Sequence, residues 1–183
     1  GLPLDRLYKT QLTLGFGNYL SPMAELAVSQ LRSRKSSLGL YLKHQSSSGK
    51  ISLKNDRKVN ANYSDNTGEL YGKVIYPRAV LAGKIHGGYY SNLYYGFNTE
   101  IDTTLDKNDV KQQVYSAGAS GAIYSIHPDS FHTNYSLRMK YHYTGDASHN
   151  NEHVFNIKGG ISKYIGDWYA SVDLGIGYYQ KSE

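Results

Sequence analysis

Residues 134–143 alternate without a break, with Tyr135, Leu137, Met139, Tyr141 and Tyr143 on one side and Asn134, Ser136, Arg138, Lys140 and His142 on the other. Side chains of an extended chain point to opposite faces in turn, so this period of two predicts a β-strand with one apolar and one polar face. The same pattern recurs at residues 168–179. There Trp168, Ala170, Val172, Leu174, Ile176 and Tyr178 oppose Tyr169, Ser171, Asp173, Gly175, Gly177 and Tyr179. Residues 153–162 repeat it, and so do residues 8–17, where Tyr8, Thr10, Leu12, Leu14 and Phe16 oppose Lys9, Gln11, Thr13, Gly15 and Gly17. Further strands are expected at 24–30, 38–44, 69–76, 80–90, 93–101 and 113–124, with a weaker one at 51–53. Residues 22–31 also admit a helix, with Pro22 in its first turn and Met23, Leu26 and Ala27 at helical spacing. The alternation of Ala24, Leu26 and Val28 favours a strand there.

Alternation alone does not separate a sandwich in water from a barrel in lipid; the contents of the two faces do. In a sandwich the apolar face is a core of interdigitated aliphatic side chains. In this chain the apolar runs end in aromatics: Tyr135 and Tyr143 bracket Leu137 and Met139, and Trp168 and Tyr178 bracket Ala170 to Ile176. An apolar centre with amphipathic ends matches hydrocarbon between two headgroup layers, and about ten tilted residues cross it. Tyr8, Tyr135, Tyr143, Trp168 and Tyr178 are therefore candidate interfacial aromatics. No apolar stretch exceeds the six residues 174–179, so a transmembrane helix is excluded even though the mean hydropathy of −0.55 speaks only of the average. Glycines inside strands, such as Gly39, Gly118 and Gly160, weaken an isolated sheet, and closure into a barrel offsets that cost. The expected fold is all-β, an antiparallel transmembrane β-barrel. A soluble or surface-exposed Tyr-rich β-sheet module binding carbohydrate or serving adhesion is the alternative.

The connections fall into two kinds. Residues 18–22, 127–130 and 165–168 read as tight turns, with Gly166-Asp167 suited to a two-residue hairpin. Residues 45–66 read as one long polar loop, and 102–108 and 144–151 as further polar loops. Long connections on one rim and short ones on the other are the asymmetry of an outer-membrane barrel. Two tight turns share a rim only if an even number of strands separates them, and the strand near Ile51 makes the count between Ser21 and Pro128 odd. The chain reads as one domain over 1–183. The strong strand before residues 180–183, with no terminal aromatic, suggests a segment of a larger barrel; residues 1–6 carry no signal-peptide pattern.

Charge is unevenly placed within the formal net of +5. Arg32, Arg34, Lys35, Lys43, Lys50, Lys54, Arg57 and Lys58 stand against one acid, Asp56. Such a block suits a solvated loop, lipopolysaccharide phosphates or an anionic solute. If the apolar faces look at lipid, Lys9, Arg138, Lys140 and Lys158 face the lumen with Asp173 as their main acid, and a cationic lumen favours anions. The competing reading is that Arg138 and Lys140 pair across strands with Asp173 or loop acids as interior braces.

Chemistry finds little support. With no Cys, thiol catalysis and zinc ribbons are excluded. His149 and His153 have a helical metal-ligand spacing in a segment that runs from loop to strand, so no metal is expected. Asp129, Ser130 and His132 are adjacent, whereas triads assemble from separate segments, so no catalysis and no cofactor are expected. Gly49-Lys50 lacks the upstream glycine of a phosphate loop. No stacking module accompanies the basic block, so nucleic acid is not an expected partner.

Two runs carry a resemblance: residues 15–26, GFGNYLSPMAEL, and residues 39–50, GLYLKHQSSSGK. Together with residues 156–178 they resemble the barrels of Bacteroidetes outer-membrane proteins of the TonB-dependent receptor-like, porin-like group. The resemblance implies a bacterial outer-membrane barrel, a conduit or receptor for solute uptake, in contact with lipid, lipopolysaccharide and other envelope proteins. No plug domain or TonB box is visible in these residues.

Overall fold

The computed structural model describes residues 8–30, 33–52, 58–94, 110–126 and 132–182. Nine long strands form a single antiparallel meander: β1 Thr10–Gly17, β2 Ser21–Ser29, β3 Ser36–Ser47, β6 Tyr63–Ile75, β7 Ala79–Leu93, β8 Lys111–Ser125, β9 Asn134–Asp146, β10 Asn151–Ile165 and β11 Trp168–Ser182. Between β3 and β6 a separate hairpin pairs β4 (Lys50–Ser52) with β5 (Lys58–Asn60). Each main strand pairs with its neighbour in sequence. Residues 22–31 thus resolve in favour of a strand, β2. The strand expected at 93–101 is not seen as such: β7 runs on to Leu93, and residues 95–101 lie outside the described residues. Residues 45–66 are less of a loop than expected, because 45–47 belong to β3 and 63–66 to β6.

The pairing keeps one apolar face continuous. Val74, Leu81, Ile123, Leu137, Gly159 and Leu174 form one row across six strands. The apolar belt drifts along the strands: Leu12, mid-run in β1, shares a row with Gln180, seven positions past Asp173 at the middle of the β11 run. With strands about 4.8 Å apart and about 3.3 Å per residue, that drift over eight pairings is a tilt of about 30°, close to the stagger of closed barrels.

Among the described residues Val80, 6% exposed, is the only buried apolar side chain, while Leu14, Leu174 and Ile176 are 70% exposed or more. No second layer covers this face, as a sandwich would require. An apolar belt of this extent with no protein over it is suited to hydrocarbon, which argues against the soluble module. β1 and β11 stand at the two edges and are not paired with each other, so the sheet is open, as a barrel segment would be.

Turn placement corrects one expectation. Residues 18–20, 48–62, 94–110 and 147–150 connect strands at one rim; 30–35, 76–78, 126–133 and 166–167 do so at the other. The tight turn at 18–22 therefore shares a rim with the long connections, opposite the turn at 166–167. Five main-sheet strands separate it from the 126–133 connection, and β4–β5 adds two more, leaving the count odd. Gly166, at φ +62°, supplies the left-handed first position of the 166–167 hairpin.

Asp146 organises the 147–150 turn. Its carboxylate accepts hydrogen bonds from the Ser148 N–H (2.8 Å), the Asn150 N–H (3.0 Å) and Asn150 Nδ2 (2.8 Å). These bonds, that from the Asn150 side chain first, hold its carboxyl below the usual carboxylate range. A depressed folded-state value stabilises the turn above the ordinary carboxylate pKa, and that contribution is lost only as pH falls through the lower folded value. Asp146→Ala is expected to speed amide exchange at Ser148 and Asn150 at pH 7; unchanged exchange would refute the role.

Candidate functional site

Successive rows across the polar face concentrate cations on β6 to β10. One row reads Lys73, Ala82, Ala122, Arg138, Lys158; the next reads Tyr71, Lys84, Ser120, Lys140, Asn156; the third reads Glu69, His86, Gly118, His142, Val154. Small side chains at 82, 118, 120 and 122 leave the longer ones room to extend over β8. Lys9 stands on this same face: the Ser29 N–H donates to its carbonyl at 2.8 Å, so the β1–β2 pairing continues past Thr10.

Two ion pairs occur among the described residues. Lys84 Nζ donates to Glu69 Oε2 at 2.8 Å, and Lys43 Nζ to Asp65 Oδ2 at 3.4 Å. Neither involves Arg138, Lys140, Lys158 or Asp173, so the bracing of Arg138 or Lys140 by Asp173 is not what forms. Register explains why. Asp173 lies opposite Gly160, one row from Arg138 and Lys158, and its carboxylate occupies the space a side chain at 160 would fill. Arg138 and Lys158 meanwhile lie directly opposite each other, both exposed. Like charges so placed oppose pairing of the strands.

The feature that sequence reasoning missed is a histidine pair. His86 Nε2 and His142 Nδ1 lie 3.3 Å apart, their rings stacked with centroids at 5.4 Å and planes 18° apart. They reach each other across β8 because Gly118 stands between them in register. A Cβ on residue 118 would come within 2.7 Å of His86 Nε2 and 2.8 Å of the Tyr141 carbonyl oxygen. Thr144 Oγ1 lies 3.2 Å from His142 Nε2, so the polar contacts continue from His86 through His142 to Thr144. Gly118→Val is expected to part the rings and lower stability by about 1–3 kcal/mol; parental stability in denaturant unfolding would contradict this geometry. The two histidines are 56 positions apart, and nothing in either local pattern pairs them.

The expected interfacial aromatics share the apolar face. Tyr8 (76% exposed) and Trp168 (81%) stand toward the rim of the 166–167 turn, with Tyr135, while Tyr178 stands toward the other. Tyr143, also toward that other rim, is half-buried; its hydroxyl donates to Asn151 Oδ1 at 2.8 Å and its ring meets His153 at 5.0 Å. His149 lies in the 147–150 turn with φ +68°, and His153 in β10 bonds Tyr141 at 2.8 Å. The basic block does not form one patch. Arg34 and Lys35 lie at one rim, Lys50 and Lys58 in the hairpin at the other, Lys43 is on the polar face, and Arg32, Lys54 and Arg57 fall outside the described residues.

No family model matches the chain, and no curated protein matches it. Among solved structures it is similar to OmpTdeltaL8, a loop L8 deletion mutant of OmpT, described as an outer membrane protein of Vibrio cholerae. The identity is 12% and the TM-score 0.54, over 97% of this chain and 58% of that one. The chain thus spans 58% of that structure's length. One expectation is withdrawn on this likeness, the absence of catalysis. It rested on the adjacency of Asp129, Ser130 and His132, of which 129 and 130 lie outside the described residues, and a barrel fold is compatible with catalytic as well as non-catalytic sites. Moreover a meander joins residues distant in sequence, as His86 and His142 demonstrate, so sequence adjacency decides nothing about a site. What the likeness carries is architecture: the chain has the antiparallel strand fold of an outer-membrane β-barrel.

Proposed function

We propose that this chain forms wall strands of a barrel in the bacterial outer membrane, with its apolar face on lipid and lipopolysaccharide and its polar face lining a conduit or receptor lumen for an anionic solute. Lys9, Arg138, Lys140, Lys158 and Asp173 then face that lumen, and Tyr8, Tyr135, Tyr143, Trp168 and Tyr178 lie at the headgroup layers. The observation that carries the reading is the opposition of Arg138 and Lys158 with no acid paired to either among the described residues. An anion bound between the two cations would offset that repulsion. The motif resemblance to TonB-dependent receptor-like, porin-like proteins of Bacteroidetes adds solute uptake to this reading. By the rule that long connections face outward, the rim of 48–62 and 94–110 is extracellular.

The test is reconstitution of the full-length protein into planar bilayers under a potassium chloride gradient. A reversal potential on the chloride side supports the reading; a cation-selective or unselective conductance overturns it. Extraction requiring detergent, with heat-modifiable gel mobility, checks the membrane placement independently.

A further inference from the structure

Resting on that lumen assignment, we infer that Lys84, His86, Ser120, Lys140, His142 and Asn156 form a discrete subsite for the phosphate or sulfate group of a soluble ligand. These residues line one recess of about 530 Å³ on the polar face, within the range of small-molecule sites. Lys84, Ser120, Lys140 and Asn156 supply hydrogen-bond donors, while the stacked histidines, engaged with each other and with Thr144, form its wall.

Register builds the convergence. Lys84, Ser120, Lys140 and Asn156 occupy one row on four consecutive strands, and the His86–His142 pair forms the row beside it. The two lysines are separated by two strand spacings, about 10 Å between Cα atoms. Side chains of that length can reach a single tetrahedral group above Ser120, Lys140 directly and Lys84 by turning from Glu69. Glu69, on β6, accepts from Lys84 Nζ at 2.8 Å, so a bound oxyanion exchanges with that carboxylate for the Lys84 ammonium. Lys140 forms no ion pair among the described residues. A group carrying two negative charges meets both ammoniums at once, whereas chloride meets one, so the geometry distinguishes oxyanion dianions from halide. Membrane phosphates are excluded as the source, because the recess opens on the face opposite the lipid belt.

The experiment titrates inorganic sulfate, and separately inorganic phosphate, against the chloride current of the full-length protein in bilayers, with isothermal calorimetry in detergent as a second readout. Sulfate is expected to bind at least tenfold more tightly than chloride. Lys140→Gln and Lys84→Gln should each weaken it about tenfold, while Lys163→Gln, on the apolar face, should leave it unchanged. Heat-modifiable mobility verifies that each variant is folded. Sulfate no tighter than chloride in the parent, or parental affinity in folded Lys140→Gln, overturns the subsite. An anion-selective pore that shows no oxyanion preference sinks the subsite and leaves the lumen assignment standing; a pore without anion selectivity sinks both.

Discussion

Arginine in place of Leu137 is expected to destabilise the folded protein in a bilayer by about 2–4 kcal/mol, the cost of a cation near the midplane on the lipid face of a barrel. Leu137 sits between Tyr135 and Tyr143 on β9, in the row that joins Ile123, Gly159 and Leu174, and it is 40% exposed with no protein covering it. The neighbouring Ser136 points to the opposite face, opposite Gly160 and beside Asp173. Ser136→Arg should therefore change stability by no more than about 0.5 kcal/mol, the ordinary range for a solvated position. Denaturant unfolding in phospholipid vesicles, followed by the fluorescence of Trp168, the one tryptophan of the chain, measures both. Equal effects at 136 and 137 would mean that the two faces have been assigned wrongly.

Reversing Arg138 and Lys158 together to glutamate is expected to convert an anion-selective pore into a cation-selective one. Four units of charge change at adjacent positions of one row, and the acid in the neighbouring row, Asp173, forms no ion pair among the described residues. The single change Arg138→Glu behaves differently. It places a carboxylate directly opposite Lys158, so the strands should pair more stably by about 0.2–1 kcal/mol while anion selectivity falls. Stability and selectivity moving in opposite directions at one residue would mark Arg138 as kept for the lumen rather than for the fold. Unchanged selectivity in the double variant, by reversal potential, would end the proposal that this face conducts anions.

Much of the fold was legible because its cause is local. The apolar and polar faces of β1, β9, β10 and β11 follow from a period of two that each segment carries within itself, and the aromatic ends of those runs are visible in the same pattern. Strand ends were less legible. β6 begins at Tyr63 and β9 ends at Asp146, each beyond the apolar run, because polar residues such as Ser64, Asp65 and Thr144 continue the ladder where no lipid demands an apolar side chain. The turn at 18–20 looked like a short-rim turn by composition alone. Which rim it occupies depends on how many strands follow in the main sheet, and the β4–β5 hairpin stands outside that count.

The candidate site divides along the same line. That Lys140, Arg138 and Lys158 share a face with one another was readable from alternation once the strands were placed; that Asp173 lies one row from Arg138 and Lys158 and two from Lys140 was not. Register is a property of two strands, set by the pairing of their whole length, and a displacement of two residues changes every partner while leaving both faces unchanged. The histidine pair is the sharper case, since His86 and His142 lie on strands that do not touch and meet only where β8 carries a glycine.

The sequence by itself determined that this chain is built of strands, that they carry an apolar face and a polar one bearing cations, and that no apolar stretch is long enough for a membrane-crossing helix, because backbone alternation and side-chain hydropathy act within a few residues. Only the tertiary structure decided which charges are neighbours, which rim each connection occupies, and that two histidines and two lysines converge on one recess. Those outcomes depend on hydrogen-bond pairing between segments tens of residues apart, and no single segment contains them.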